Sequence, residues 1–302
     1  ASLARPDGEF DLVQVNGFIT WAPAHVNVSH FVHSSWLKHL RGSSGAGSAP
    51  YRLYQFVYAW LNSRLERRAY LQAAVVVAVS EKVREELLAI GVPADRVQVI
   101  HNGVDLEEFS PRDGDLGARR RRAGLPEGVP LGLFVGDIKT SRKNLDLVLD
   151  ALPRVPRLHV AVAGATEGSP YPDLAESRGL SGRVHFLGFR DDVPEIMRLS
   201  DLFIFPSRYE ACALALIEAM ASGLPVVAVS GVGGAVSVDA GSGVLLSSPD
   251  DAEELARALN ALLDDPARLR GMRAAARANA ERYGLPGVVA AYADLYQGMA
   301  RA

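Results

Sequence analysis

From residue 131 onward, short apolar runs alternate with stretches of helical period: LGLFVG, LHVAVAG, RVHFLG, LFIFPS, PVVAVS and GVLLSS. Strands buried on both faces and separated by helices read as a parallel, doubly wound α/β sheet. The intervening helices are legible as well. NLDLVLDAL puts Leu145, Val148, Leu149 and Leu152 on one face, and AEELARALNALLDD repeats the pattern. Residues 130–284 therefore predict one complete domain. The same alternation runs earlier with fewer members, DLVQVNG, NVSHFVH, AAVVVAVS and RVQVIHNG, with a helical stretch before the third and SEKVREELLAIG after it. Ser80 is the expected N-cap of that last helix and Gly91 its expected end. Residues 1–110 thus predict a second α/β domain that lacks its first strands. Residues 111–129, rich in Pro, Gly and charge, predict the linker, with the arginines at 119–122 forming a solvated helix face.

The 302 residues, 48% of them hydrophobic, are enough for two domains with real cores. A net charge of -3 gives no electrostatic case for nucleic-acid binding. The single cysteine, Cys212, excludes an internal disulfide framework and a cysteine-based zinc site, and suits a reducing cytosol. No stretch approaches the roughly 18 to 20 apolar residues of a membrane span. The first residues, ASLARPDGEF, carry neither a methionine nor the apolar run of a signal peptide and read as an internal start.

Ligands of open α/β sheets bind beyond the carboxyl ends of the strands. There, LGLFVGDIKTSRKNLDLVL is strand, polar loop and helix, with Arg142 and Lys143 at the end of the loop. Two cations beside a helix N-terminus form a site for a phosphate or diphosphate; the alternative is a solvated loop tip. RYEACALALIEAM poses a second question, because Glu210 and Glu218 interrupt an apolar run. An unpaired carboxylate is costly to bury, so each must reach water, a partner or a ligand. Helical rise would separate them by about 12 Å, too far for a pair sharing a proton and suited to two ends of an extended ligand. The acidic pair Asp113 and Asp115 sits in the linker and reads as turn chemistry instead of a metal site. The aromatic stretch 51–70 fits either a lipid-linked acceptor or membrane surface, or a helix packed on its own domain.

Together, the RKN loop, the two glutamates, VAVSEKVREELLAIGVPADRVQVIHNGVDLEEFSP and ASGLPVVAVSGVGG resemble the retaining nucleotide-sugar glycosyltransferases of the GT-B fold, glycosyltransferase group 1 or family four. The resemblance runs from Asp11 to the C-terminus. It implies two Rossmann-like domains facing a cleft, the donor held by the second, and a final helix, 285–302, returning to the first. By position, Glu210 is similar to the glutamate that contacts the donor sugar, and Glu218 to the one that takes the ribose hydroxyls. Arg142 and Lys143 resemble the diphosphate-binding pair, Phe189 and Arg190 the base-contact region, and His33, at the end of the second strand, the histidine facing the reacting sugar. His30 competes with His33 for that role.

This sequence departs from the family pattern in several places, including a loop after Gly234 that is shorter than expected and lacks the glutamate that commonly follows. Asp137 follows Gly136 where many relatives carry arginine, and Ala211, Cys212 and Ala213, ahead of Leu214, replace a Gly-Phe-Gly loop at the sugar phosphate. The implied reaction moves a sugar from a nucleoside diphosphate sugar to an acceptor hydroxyl of unspecified identity, with no catalytic metal and no resident cofactor. Alternatives are a non-catalytic nucleotide-sugar-binding protein or partner subunit, and a nucleotide-sugar epimerase. A nicotinamide-dependent dehydrogenase is disfavoured because no GxGxxG follows a strand.

Overall fold

A computed structural model describes residues 10–18, 20–42, 49–111 and 116–300. The acidic pair Asp113 and Asp115 lies outside the described residues. The chain divides into two compact units, residues 1–103 with 285–302, and residues 104–284.

In the first unit, strands β1 (Gln14–Asn16), β2 (Ala24–Ser29), β3 (Ala73–Ala78) and β4 (Val97–Val99) form a parallel sheet in that order. Helices α1 (His33–Gly42) and α2 (Ala49–Leu71) connect β2 to β3, and α3 (Glu81–Ala89) connects β3 to β4. Ser80 caps α3 by accepting from the Val83 amide at 3.1 Å. The helix ends in a Schellman turn: Val92 N–H donates to Leu87 O and Gly91 N–H to Leu88 O, with Gly91 at φ +85°. Strand β2 stops at Ser29, so His33 is the first residue of α1 and not a strand end. The reason is local: the β2–α1 corner is bonded to side chains of α2 and not to a further ladder, as described below.

Helix α2 has two faces. Ala59, Asn62, Glu66, Ala69 and Tyr70 are buried, while Leu53, Tyr54, Val57, Tyr58, Trp60 and Leu61 are exposed. It packs on its own domain and keeps an apolar flank outside. No helix among the described residues is long and apolar enough to cross a membrane.

The second unit carries a parallel sheet of six strands in the order β10-β9-β8-β5-β6-β7. These are β5 (Leu131–Val135), β6 (His159–Ala163), β7 (Val184–Gly188), β8 (Leu202–Phe205), β9 (Val226–Val229) and β10 (Gly243–Leu246). Helices α4 (Leu116–Arg122), α5 (Leu145–Ala151), α6 (Tyr171–Ser177), α7 (Val193–Arg198), α8 (Leu214–Ala221), α9 (Ala252–Asp264) and α10 (Pro266–Glu281) surround it, and α11 (Leu285–Ala300) belongs to the first unit. The apolar strands face helices on both sides, and Phe134, Leu133, Phe203, Phe205, Leu149 and Leu259 are buried in one continuous core. Where the unit begins and ends, Val104 forms a parallel bridge to Gly284 and donates to Tyr283 O at 2.8 Å.

The segment expected as a linker is part of this unit from α4 onward. Arg120 is buried: its guanidinium donates to Leu199 O at 2.8 Å, Val129 O at 3.0 Å and Asp201 Oδ2 at 2.8 Å. Asp201 also accepts from the Leu131 amide at 2.9 Å, so the pair pins the starts of β5 and β8. The expectation of a solvated arginine face is corrected at Arg120. A guanidinium with its donors filled by a carboxylate and two carbonyls can be buried; an unpartnered one cannot. Arg119 pairs with Glu195 at 2.7 Å, and only Arg121 and Arg122 stay exposed.

Candidate active site

The strand order reverses at β5. From it the chain winds outward through β6 and β7, then returns to place β8, β9 and β10 on the other side. The carboxyl ends of β5 and β8 therefore flank a topological switch point, the place where a doubly wound sheet opens a crevice for a ligand.

Two loops meet there. The one after β5 turns at Gly136, passes through a single 3-10 turn at Ser141–Lys143 and reaches Asn144 in the left-handed region at φ +64°. Asparagine is among the few side chains that tolerate this conformation. Its amide Nδ2 donates to Pro206 O at 3.0 Å and Pro249 O at 2.6 Å, tying the loops after β8 and β10 to the start of α5. Arg208 completes the join, its backbone N–H donating to Arg142 O at 3.0 Å and its guanidinium to Ser141 O at 2.7 Å.

The loops so joined bring Arg142, Lys143 and Glu210 together. Glu210 Oε1 lies 2.5 Å from Arg142 Nη1 and 2.8 Å from Lys143 Nζ. Glu210 is buried, so the charge in the apolar run is answered by two cations from the neighbouring loop. Lys143 is itself braced. Its ammonium stands 4.9 Å from the centre of the Phe205 ring, and its stem covers Gly136, where a Cβ would come within 3.0 Å of Lys143 Cγ.

The segment after Glu210 runs against the loop after β9. Gly233 N–H donates to Glu210 O at 2.8 Å, and Ala213 N–H to Gly233 O at 2.9 Å. A Cβ at position 233 would fall 1.9 Å from the Ala211 carbonyl oxygen, so only glycine fits. Ala211 and Ala213 are buried, Cys212 is half-buried, and Leu214 opens α8 with 37% exposure. Small side chains thus satisfy the close backbone approach here.

Glu218 lies inside α8, half-buried, and its carboxylate makes no hydrogen bond or ion pair among the described residues. Burial raises its pKa, Glu108 adds to the rise, and the charge of Lys143 opposes it. The two glutamates therefore differ in state: Glu210 is neutralised by contact, whereas Glu218 is held without a direct partner. At the end of β7, Phe189 is 81% exposed, and Arg190 is engaged with Asp192 through two bonds of 2.7 and 2.6 Å. The Arg190 side chain is thereby occupied, leaving the backbone and the Phe189 ring as the open features of that strand end.

His33 belongs to the first unit. Its Nδ1 stands 3.1 Å from Glu66 Oε2, and the same oxygen accepts from its backbone N–H at 2.6 Å. Ser34 N–H donates to Glu66 Oε1 at 2.9 Å. The ring lies edge-on to Phe31, with centroids 5.1 Å apart, and lines an open pocket of about 280 Å³ with Phe31, Trp36, Tyr54, Gln55 and Tyr58. His30 is an exposed residue of the same corner. Tyr70, whose hydroxyl burial pushes up to about 12, donates to Phe31 O at 3.1 Å and contacts Ser29 Oγ at 2.9 Å.

Sequence reasoning did not single out Asn144, Arg208 or Glu66. Asn144 stood within a motif already noted, and an asparagine just ahead of an apolar helix is a readable turn signal. Nothing in the linear pattern distinguishes Glu66 from the other charges of a long helix.

Residues 117–282 match the family model of Glycosyl transferases group 1, and residues 2–108 that of Glycosyltransferase Family 4. The chain belongs to the group 1 glycosyltransferases. It is 35% identical over 239 residues to the D-inositol 3-phosphate glycosyltransferase of Streptomyces bingchenggensis, a match covering 73% of this chain and 52% of that protein. The chain spans about half the length of the curated relatives it matches. Among solved structures it resembles sucrose-phosphate synthase from Thermosynechococcus elongatus, with a TM-score of 0.78 and 23% identity over 96% of this chain and 74% of that one. Anabaena HepE in complex with UDP gives a TM-score of 0.71 and 22% identity over 91% of this chain and 79% of that one. The fold is that of the GT-B glycosyltransferases, two Rossmann-like α/β units each built on a parallel sheet.

Proposed function

We propose that this protein transfers a sugar from a nucleoside diphosphate sugar to an acceptor hydroxyl, with retention of configuration and without a catalytic metal. The observation that carries the proposal is the convergence of Arg142 and Lys143 on one carboxylate oxygen at the switch point. Two cations held by braced loops form a preorganised anion site, and the departing diphosphate is the group whose charge grows during transfer. In this reading the bond from the anomeric carbon to the diphosphate oxygen breaks and its electron pair leaves with the diphosphate. The acceptor oxygen bonds to the same face of the sugar, and its proton passes to the leaving oxygen. Arg142 and Lys143 hold the diphosphate, Glu218 takes the ribose hydroxyls, and the backbone at Phe189 and Arg190 meets the base. The 211–214 loop lies along the sugar phosphate, with Glu210 and His33 positioning the sugar.

HepE binds UDP, which makes a uridine donor the first to try, and the relatives' name makes an inositol phosphate the first acceptor. The exposed apolar flank of α2 is assigned to peripheral contact with a membrane or a lipid-linked acceptor. Calorimetric titration with UDP, GDP and ADP in EDTA, on the native chain and on Lys143→Ala and Glu218→Ala, tests the donor site. One nucleotide bound tightly and weakened in both variants supports it; equal binding by all three proteins removes it. Product analysis then separates transfer from its rivals: a donor converted without acceptor marks an epimerase, and a donor bound but never consumed marks a binding protein.

A further inference from the structure

We infer that Glu66 is a positioning residue that fixes the proton of His33 on Nδ1, an inference that rests on His33 acting in the transfer proposed above. An ionised carboxylate only accepts hydrogen bonds, so the ring nitrogen facing Glu66 Oε2 at 3.1 Å carries the hydrogen. In the neutral imidazole Nε2 is then a lone-pair acceptor. It is the remaining ring nitrogen of a side chain that lines the pocket of Phe31, Trp36, Tyr54, Gln55 and Tyr58. Aromatic walls suit the C–H face of a sugar ring, and an accepting Nε2 suits one of its hydroxyls.

The Glu66 carboxylate is fully buried, and its charge is answered at the first turn of α1, which contains no acidic residue of its own. It receives the His33 and Ser34 amides, so one side chain of α2 both caps α1 and orients the imidazole. Tyr70 lies one turn further along α2, on the same face, and holds the Phe31 carbonyl and Ser29. The corner that carries His33 is therefore bonded twice to a single helix face, which leaves the ring little freedom to turn over.

The test is the imidazole nitrogen spectrum of the full chain labelled with 15N-histidine, with His33→Gln identifying the signal. The native protein is expected to show His33 as the Nδ1–H tautomer. Glu66→Ala removes the acceptor facing Nδ1 and is expected to let the hydrogen move to Nε2. The transfer rate is then expected to fall about 10-fold, as for one lost hydrogen bond, while nucleotide affinity stays unchanged. A neutral native His33 with its hydrogen on Nε2 overturns the inference, as does an unchanged tautomer in a folded Glu66→Ala. If that variant does not fold, the native spectrum alone decides. A tautomer switch in a protein whose His33→Gln variant still transfers at the native rate upholds control by Glu66 and overturns the role given to His33.

Discussion

Lys143 Nζ and Glu210 Oε1 stand 2.8 Å apart, and Arg142 reaches the same oxygen. One carboxylate thus occupies both cations that the proposed diphosphate would need, and the nucleotide must share or displace that contact.

Lys143→Ala removes a charge-assisted partner of the proposed phosphate. A bond to a charged group is worth about 1.5 to 3 kcal/mol, so nucleoside diphosphate affinity is expected to fall roughly 10- to 100-fold by calorimetry. A change below two-fold, on the order of 0.4 kcal/mol, would mean that Arg142 alone binds the anion.

Glu210→Gln separates nucleotide from sugar. It keeps the shape of the side chain and removes the charge that competes for Arg142 and Lys143. The bare nucleoside diphosphate is expected to bind as tightly or more tightly, while transfer from the full donor falls. Weaker binding of the bare nucleotide would show that the carboxylate organises the cations instead of competing for them.

Glu218 predicts a pH dependence. Burial raises its pKa, and in the proposed role ribose hydroxyls would donate to the ionised form, so nucleotide affinity is expected to rise with pH through the raised value and to fall below it. Glu218→Gln should abolish that acidic limb. Stability has the opposite sign. A raised carboxylate pKa makes ionisation cost more in the folded chain, so the penalty is full above the folded value and vanishes as pH falls below the unfolded one. Glu218→Gln is therefore expected to raise the melting temperature at neutral pH, with the gain fading in acid.

Gly233→Ala tests the backbone contact. With a Cβ placed 1.9 Å from the Ala211 oxygen, the 211–214 loop has to move. Reduced thermal stability together with weakened donor binding is expected; a native melting curve and native affinity would show that the loop relaxes without consequence.

The strand runs and the helix ends were legible because their signals are local. Apolar runs bounded by turn residues marked the six strands of the second unit, and Gly91 stands where a Schellman turn closes α3. Arg142, Lys143 and Glu210 were legible as a set through resemblance, but their mutual contact was not. It depends on β5 and β8 lying side by side, although 66 residues separate the end of one from the start of the other. Arg120 was misread for a related reason. Its three acceptors include Leu199 and Asp201, far along the chain, and nothing near a run of arginines announces which one turns inward. Glu66 was illegible in the same sense, since its meaning lies in the two amides and the imidazole it meets across 32 and 33 positions of sequence.

Because Val104 is bridged to Gly284, the entry and exit of the second unit are neighbours. A stretch of chain whose two ends meet can be lifted out and replaced by an equivalent stretch with little demand on the flanking sequence. Residues 104–284 are thus a natural cassette. On the proposed reading, exchanging them for the matching segment of a relative with a different donor is expected to change the donor used while leaving the first unit's own sequence intact, and the two splice points are already marked by a single pair of backbone partners.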